Sequence, residues 1–356
     1  MVNVFKNNNF SEMTGRELLS SYEILLVDLY GVIWGGGNAF PEALVALEEM
    51  ISSGKEVLIL SNASTVSTEI IKKYDAANLC GGVHFTHFVT SGDVMRDIFS
   101  SGGIPFLANR EVKKYFVCGT PNNAIFADSK LEQTEDLDES DFIYLSIPRF
   151  FDAERDAMPD ALKQFLYVAR ADGENRSWDS TSIEPYIPKL KIFLAKKKLL
   201  VLANPDKFAV CHVLETPESA KYVPKLVAKQ GLVAEAYESL GGKVLAMGKP
   251  FPQIYHHALE KLAAARRNSV EQICKSRIAM IGDTLETDIL GARNASENMG
   301  CKIDSILVLT GISAGDMRKS MAGETTIDAM DNFFAAKKIF PTHAMSALNL
   351  AAQVYF

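Results

Sequence analysis

Short apolar runs, each closed by a polar or glycine-containing turn and followed by a helical pattern, set the rhythm of the first 80 residues. Ile24-Leu25-Leu26-Val27 runs into Asp28. Pro41 then opens a segment with Leu44, Leu47, Met50 and Ile51 on one face, and Ser53-Gly54 closes it. Val57-Leu58-Ile59-Leu60 is a second run, ending in Ser61-Asn62, and a helix is expected to about Leu79. Apolar runs of this length bounded by turns read as strands buried on both faces, and proline suits the first turn of a helix. The order βαβα argues for a parallel sheet.

From about Phe88 to Thr216 the alternation loosens. Strands are expected at 116–118, 142–145 and 199–203, with a helix at about 159–171 and polar, acidic sequence between Glu132 and Asp141. Tight alternation returns near residue 218: a helix to about Leu240, strand 244–247, helix 253–266, strand 278–281, a helix from near Glu286 and strand 306–309. The last stretch carries helical patterns and no readable chemistry. The pattern predicts an α/β protein whose doubly wound parallel core, residues 1–87 and 217–356, is interrupted by an α/β insertion at 88–216.

Length agrees, since 356 residues exceed most single cores. A net charge of -7 gives no electrostatic support for a nucleic-acid partner. No run of 18 apolar residues predicts a spanning helix, and Met1–Phe10 is polar and asparagine-rich, without the apolar core of a signal peptide. The five cysteines are odd in number and contain no Cys-x-x-Cys pair. Buried reduced thiols in a cytoplasmic protein are therefore expected, ahead of disulfides or zinc.

Four strand ends carry polar groups: Asp28, Ser61-Asn62, Lys249 just after a strand, and Asp283 with Asp288. Alone, each has an ordinary structural reading. Asp28 and Ser61-Asn62 suit turns or helix caps, Lys249-Pro250 a surface turn, and Gly282-Asp283-Thr284 a strand-to-helix turn. In a doubly wound sheet, however, strand carboxyl ends share one edge, where ligands bind. Together the groups fit phosphoryl transfer, which needs a nucleophile, donors to the phosphoryl oxygens, a fixed cation and a metal. Asp28 can form an aspartyl phosphate, Ser61 and Asn62 can hold phosphoryl oxygens, and Lys249 supplies a point charge. Two acidic groups with oxygen ligands favour Mg²⁺.

Val27-Asp28-Leu29-Tyr30-Gly31-Val32, Leu60-Ser61-Asn62-Ala63-Ser64, Gly248-Lys249-Pro250 and Gly282-Asp283-Thr284-Leu285-Glu286-Thr287-Asp288-Ile289 together resemble the haloacid dehalogenase-like hydrolases of class IIA, the NagD-like or nitrophenylphosphatase group. Asn204-Pro205-Asp206 resembles a piece of that group's cap. The resemblance spans roughly residues 21–312. It implies a Rossmann-like core with a cap between the second and third motifs, and a small phosphorylated metabolite as substrate. It further implies Asp28 as nucleophile, Ser61 as phosphate binder, Lys249 as positioning cation, and a Mg²⁺ held by Asp28, Asp283 and the Tyr30 carbonyl with Asp288 in support. A homo-oligomer is left open.

Tyr30 departs from the family's phosphatases, which carry there an aspartate serving as general acid and base. A phenol titrates at about pH 10 in water and matches that task poorly, and general acid–base help is typically worth about 10²–10⁴-fold. Two alternatives follow. One is a weak or inactive protein that binds a phosphorylated ligand. The other is a 2-haloacid dehalogenase, whose first motif Asp-x-Tyr also resembles. Asp283 and Asp288 count against the latter, because their charges oppose a carboxylate substrate. His84, His87, His256 and His257 read as structural histidines, and Trp34–Gly37 as a loop able to flex near the nucleophile.

Overall fold

The computed structural model describes residues 10–35, 38–101, 112–119, 123–146, 183, 186–214, 222–313 and 327–350. The helix expected at 159–171, and Gly36 and Gly37 of the loop after the first strand, lie outside them. Contacts divide the chain into two units, one of Met1–Ser61, Ile70–Val89 and Lys249–Phe356, the other of Asn62–Glu69 and Thr90–Gly248.

The first unit is built on a seven-stranded sheet. Its strands are β1 (Ser11–Glu12), β2 (Ile24–Val27), β3 (Glu56–Ser61), β4 (His87–Thr90), and, in the second half of the chain, β12 (Ile278–Gly282), β13 (Ile303–Val308) and β14 (His343–Met345). They lie in the order β1-β14-β13-β12-β2-β3-β4. β2 pairs in parallel with β3 on one side, Val27 opposite Ile59, and with β12 on the other, Val27 opposite Ile281. Ile24 to Val27 have no exposed surface, as expected of a strand covered on both faces. The helix Pro41–Ser52 packs its Ala43, Ala46, Leu47 and Met50 against one face. Because chain order reverses at β2, the carboxyl ends of β2 and β12 form a switch point, the place where open α/β sheets bind ligands.

The second unit has a parallel sheet of its own, β11-β8-β7-β5-β6. Its strands are β5 (Lys114–Cys118), β6 (Glu132–Gln133), β7 (Phe142–Leu145), β8 (Leu199–Leu202) and β11 (Lys243–Ala246). Helices Ile187–Ala195 and Gln230–Ser239 bury Leu190, Phe193, Val233 and Tyr237 in its core. The unit is wider than the expected 88–216, because Lys243–Ala246 pairs with Leu199–Leu202 and so joins this sheet.

Three elements differ from expectation. Residues expected to begin a helix near 218 form instead β10 (Tyr222–Ala228), antiparallel to β9 (Phe208–Leu214). Pro224 would deny an interior helix a hydrogen bond, while Tyr and Val favour extended chain. β14, in the expected helical tail, is only three residues long and gains its identity from pairing with β13. Cys274 and Cys301 form a disulfide with Cα atoms 4.9 Å apart, not two thiols. Cys274 caps the turn Val270–Ile273, and Cys301 follows Gly300, which ends the helix Leu290–Met299 in a left-handed turn, so both side chains arrive near the starts of β12 and β13. Among the described residues no helix is long and apolar enough to cross a membrane.

A tight contact in the second unit can be tested directly. Gly231 opens its helix hard against the Pro205 carbonyl, and a Cβ there would overlap backbone on both Pro205 and Asp206. Gly231→Ala is expected to destabilise the protein by about 1–3 kcal/mol, the usual range for overpacking. The check is a urea midpoint, with an unchanged midpoint refuting the contact.

Candidate active site

Four of the residues singled out in the sequence meet at the switch point. Asp28 continues β2 and donates its backbone N–H to Ile281 on β12, at 2.8 Å. Lys249 reaches in from the turn before helix Pro252–Arg266 and is only 2 % exposed. Its ammonium donates to Asp28 Oδ1 at 2.5 Å and lies 2.8 Å from Asp288 Oδ1. Asp283 follows β12. Carboxylate oxygens of Asp28, Asp283 and Asp288 all lie within 4.8 Å of one another.

The local backbone explains how three acids are held so close. After Asp283 the chain makes a single π turn, Leu285–Ile289, before the helix proper begins. That turn brings the Asp288 carboxylate back to accept from the Thr284 N–H at 3.0 Å. Asp283 accepts from the Thr284 hydroxyl at 3.0 Å and from the Ile312 N–H at 2.7 Å. Ser313 closes the loop, donating its N–H to the Asp283 carbonyl and accepting from the Leu285 N–H at 2.9 Å. Gly31 and Gly311 crowd the same carboxylate so closely that a Cβ on either would overlap it, and Gly31 has φ +81°. The Thr310 hydroxyl donates to the Gly31 carbonyl, tying the loop after β13 to the loop after β2.

Electrostatics follow from three carboxylates facing a single ammonium. Burial draws Lys249 down, but Asp28 and Asp288 outweigh it and hold the ammonium above its ordinary range. Burial pushes Asp28 well up; Lys249 works against this, and Asp288 and Asp283 add to it. Burial and the Asp288 charge push Asp283 up to about 7. The excess of buried negative charge, carried on oxygen donors, is the environment a hard divalent cation fits. Asp28, Asp283 and Asp288 are the residues that could hold such an ion.

Tyr30 lies two residues beyond Asp28, with 38 % of its surface exposed, and its hydroxyl accepts from Tyr74 at 3.2 Å. Ser61 ends β3, beside β2, and is buried. The Asn62 side chain is drawn into the second unit, where it donates to Asp206 at 2.7 Å and accepts from Ser91 at 3.2 Å. Asn204 in turn accepts from the Asp206 N–H, so the Asn204-Pro205-Asp206 segment is a folded clasp. The histidines serve structure: His84 is buried and accepts from the Cys80 N–H, and His256 pairs with Glu260 on one helix face. Sequence reasoning missed Tyr74 and the Thr310–Ser313 turn. The only available signal for the latter was Thr-Gly just past a strand.

Two family models match, one toward each end of the chain. One, for haloacid dehalogenase-like hydrolases, covers residues 25–129, and a HAD-hydrolase-like model covers 246–333. They take in Asp28 and Ser61, and Lys249, Asp283 and Asp288, respectively. The chain belongs to the haloacid dehalogenase-like hydrolases. A curated relative, the chloroplastic phosphoglycolate phosphatase 1A of Arabidopsis thaliana, is 25% identical over 307 residues, covering 85% of this chain and 73% of the relative. A haloacid dehalogenase-like hydrolase from Brucella suis 1330 has the same fold, with TM-score 0.65 and 21% identity over 95% of this chain and 98% of that one. NagD from E. coli aligns with TM-score 0.51 and 17% identity over 94% and 100% of the two chains, in keeping with the class IIA fold.

Removing the central cation of this hydrolase site should be costly. Lys249→Met leaves three buried acids without their ammonium, and loss of one partner of a buried pair typically costs about 3–5 kcal/mol. A drop of that order in urea-measured stability at neutral pH is expected. Wild-type stability would show that the pair contributes nothing net.

Proposed function

We propose that this hydrolase cleaves small-molecule phosphate monoesters through a phospho-Asp28 intermediate, with Mg²⁺ as cofactor. The observation that carries the reading is the buried Lys249 within 2.5 Å of Asp28, beside two further carboxylates. The relative named as a phosphoglycolate phosphatase agrees with a small phosphorylated metabolite as substrate. Nothing in the charge of the chain favours a nucleic acid, and the cytoplasm is the compartment in this reading.

In this reading Lys249 fixes one oxygen of Asp28 and leaves the other to attack phosphorus. The new Asp28–phosphorus bond forms as the bond to the ester oxygen breaks, and that oxygen keeps the electron pair. Water then attacks the phosphorus of the acyl phosphate, releasing phosphate and restoring Asp28. Ser61 donates to a phosphoryl oxygen, and Asn62 acts indirectly by holding the turn that follows. Asp28, Asp283 and the Tyr30 carbonyl would hold the Mg²⁺, with Asp288 behind them. When bound, the ion offsets phosphoryl charge and fixes the group's orientation.

Tyr30 gives the second reading its footing. Without a carboxylate there the protein could bind a phosphorylated ligand and turn it over slowly or not at all. Dehalogenation is disfavoured by three buried acids, which repel a carboxylate substrate.

A panel of phosphate esters with and without Mg²⁺ separates these readings. Mg²⁺-dependent release of phosphate is expected, and Asp28→Asn should retain less than about a tenth of it while remaining folded. Tight binding of orthovanadate with no turnover of any ester would favour the binding protein. Isothermal titration tests the metal assignment separately: Asp283→Ala should lose the Mg²⁺ binding seen in wild type, and equal affinity in both would overturn it.

A further inference from the structure

Tyr74 lies on helix Ser67–Asp75, far from the nucleophile in sequence and without exposed surface. Its ring is locked in place. Trp34 meets it edge-on with centroids 5.0 Å apart, and Phe88 stacks on it at 5.9 Å. A hydroxyl buried this deeply needs a partner. The partner is the Tyr30 hydroxyl at 3.2 Å, with Tyr74 as donor. Tyr30 follows Asp28 by two residues, just past the end of β2.

The direction of this hydrogen bond matters. Because Tyr30 accepts from Tyr74, its own O–H is left to donate elsewhere, and a hydroxyl that accepts becomes a better donor. Tyr30 is the exposed member of the pair. The backbone is fixed as well: Tyr30 forms a bridge with Trp34, and the Gly31 N–H donates to the Trp34 carbonyl at 2.9 Å. The phenol is thus anchored at both ends.

We infer that Tyr74 is a positioning residue, whose hydroxyl holds the Tyr30 phenol as a fixed hydrogen-bond donor to the ester oxygen that leaves when the phosphoryl group moves to Asp28. This rests on the phosphatase reading above. The departing oxygen keeps its electron pair, the Tyr30 hydrogen bond stabilises the developing charge, Tyr30 retains its proton, and solvent protonates the product afterwards. A donor that does not give up its proton suits leaving groups of low basicity. The substrate class is therefore the phosphates of acidic hydroxyls (aryl, enol or acyl phosphates) rather than of simple alcohols.

The test is a double-mutant cycle on 4-nitrophenyl phosphate with Tyr74→Phe, Tyr30→Phe and the double variant, supported by NMR of protein labelled with tyrosine at 13Cζ. Tyr74→Phe keeps the packed ring, and a thermal melt verifies folding. Loss of one net hydrogen bond predicts a kcat lower by ~2–10-fold with KM little changed. In the Tyr30→Phe background the same change should have no further effect, since Tyr74 acts through the missing hydroxyl. The Tyr30 resonance, assigned by its absence in Tyr30→Phe, should move in Tyr74→Phe. Independent, multiplicative effects of the two substitutions would overturn the inference, as would an unmoved resonance. Hydrolysis of an alkyl phosphate as fast as of 4-nitrophenyl phosphate would overturn the substrate class. A wild-type protein inactive on every ester would overturn the phosphatase reading and with it the role at the leaving oxygen, while a shifted resonance would still support the tether.

Discussion

Lys249 sits almost without exposure between Asp28 and Asp288, and the loops around it are shaped by the need to keep that arrangement. An ammonium stripped of water is unfavourable unless several acceptors surround it, and three carboxylates at this spacing repel one another unless a cation divides them. Each side therefore makes the other tolerable. The π turn after β12, the N–H groups of Thr284 and Ile312, and the crowding glycines all follow from this shared requirement. The charge is still unbalanced toward the negative, and burial together with the Asp288 charge makes Asp283 hold its proton more readily than an exposed aspartate does.

The division of labour between the two units follows from where their residues point. In the first unit the polar groups gather at one sheet edge. In the second unit the corresponding polar cluster of Asn62, Ser91, Asn204 and Asp206 is satisfied within itself. A side chain whose donor and acceptor are both engaged has little left to offer a ligand, so Asn62 reads as a fastening rather than a contact.

Legibility in the sequence tracked the kind of force involved. Strands such as Ile24–Val27 and Leu199–Leu202 were plain, because burial on both faces writes a continuous apolar run. Asp28, Lys249 and Asp283 could be picked out because each follows an apolar strand, and Asp288 because it lies in the turn just beyond Asp283. The β9–β10 hairpin was not legible, since Pro224 and the mixed pattern of its strands carry no clean periodicity, and β14 is too short to carry one. Tyr74 was invisible for a different reason: its role depends on meeting Tyr30 across the fold, and nothing local to its helix encodes that meeting. The donors from Ile312 and Thr284 are backbone groups, which every residue possesses. The disulfide was missed because Cys274 and Cys301 are brought together by turns rather than by a spacing rule.

The placement of β2 between β3 and β12 has a consequence for how the chain is made. β3 emerges soon after β2, but the residues that cover the other edge of β2, Ile278–Ile281, are synthesised far later. At the usual pace of translation the gap is ~12–50 s. Throughout that interval a wholly apolar strand has one unpaired edge, and Asp28 waits at its tip without Lys249 or Asp283. The second unit has its own sheet and core, and it can form on the ribosome while the first stays open. The acidic edge thus comes into being late, when the chain from Lys249 onward closes back over a strand made long before.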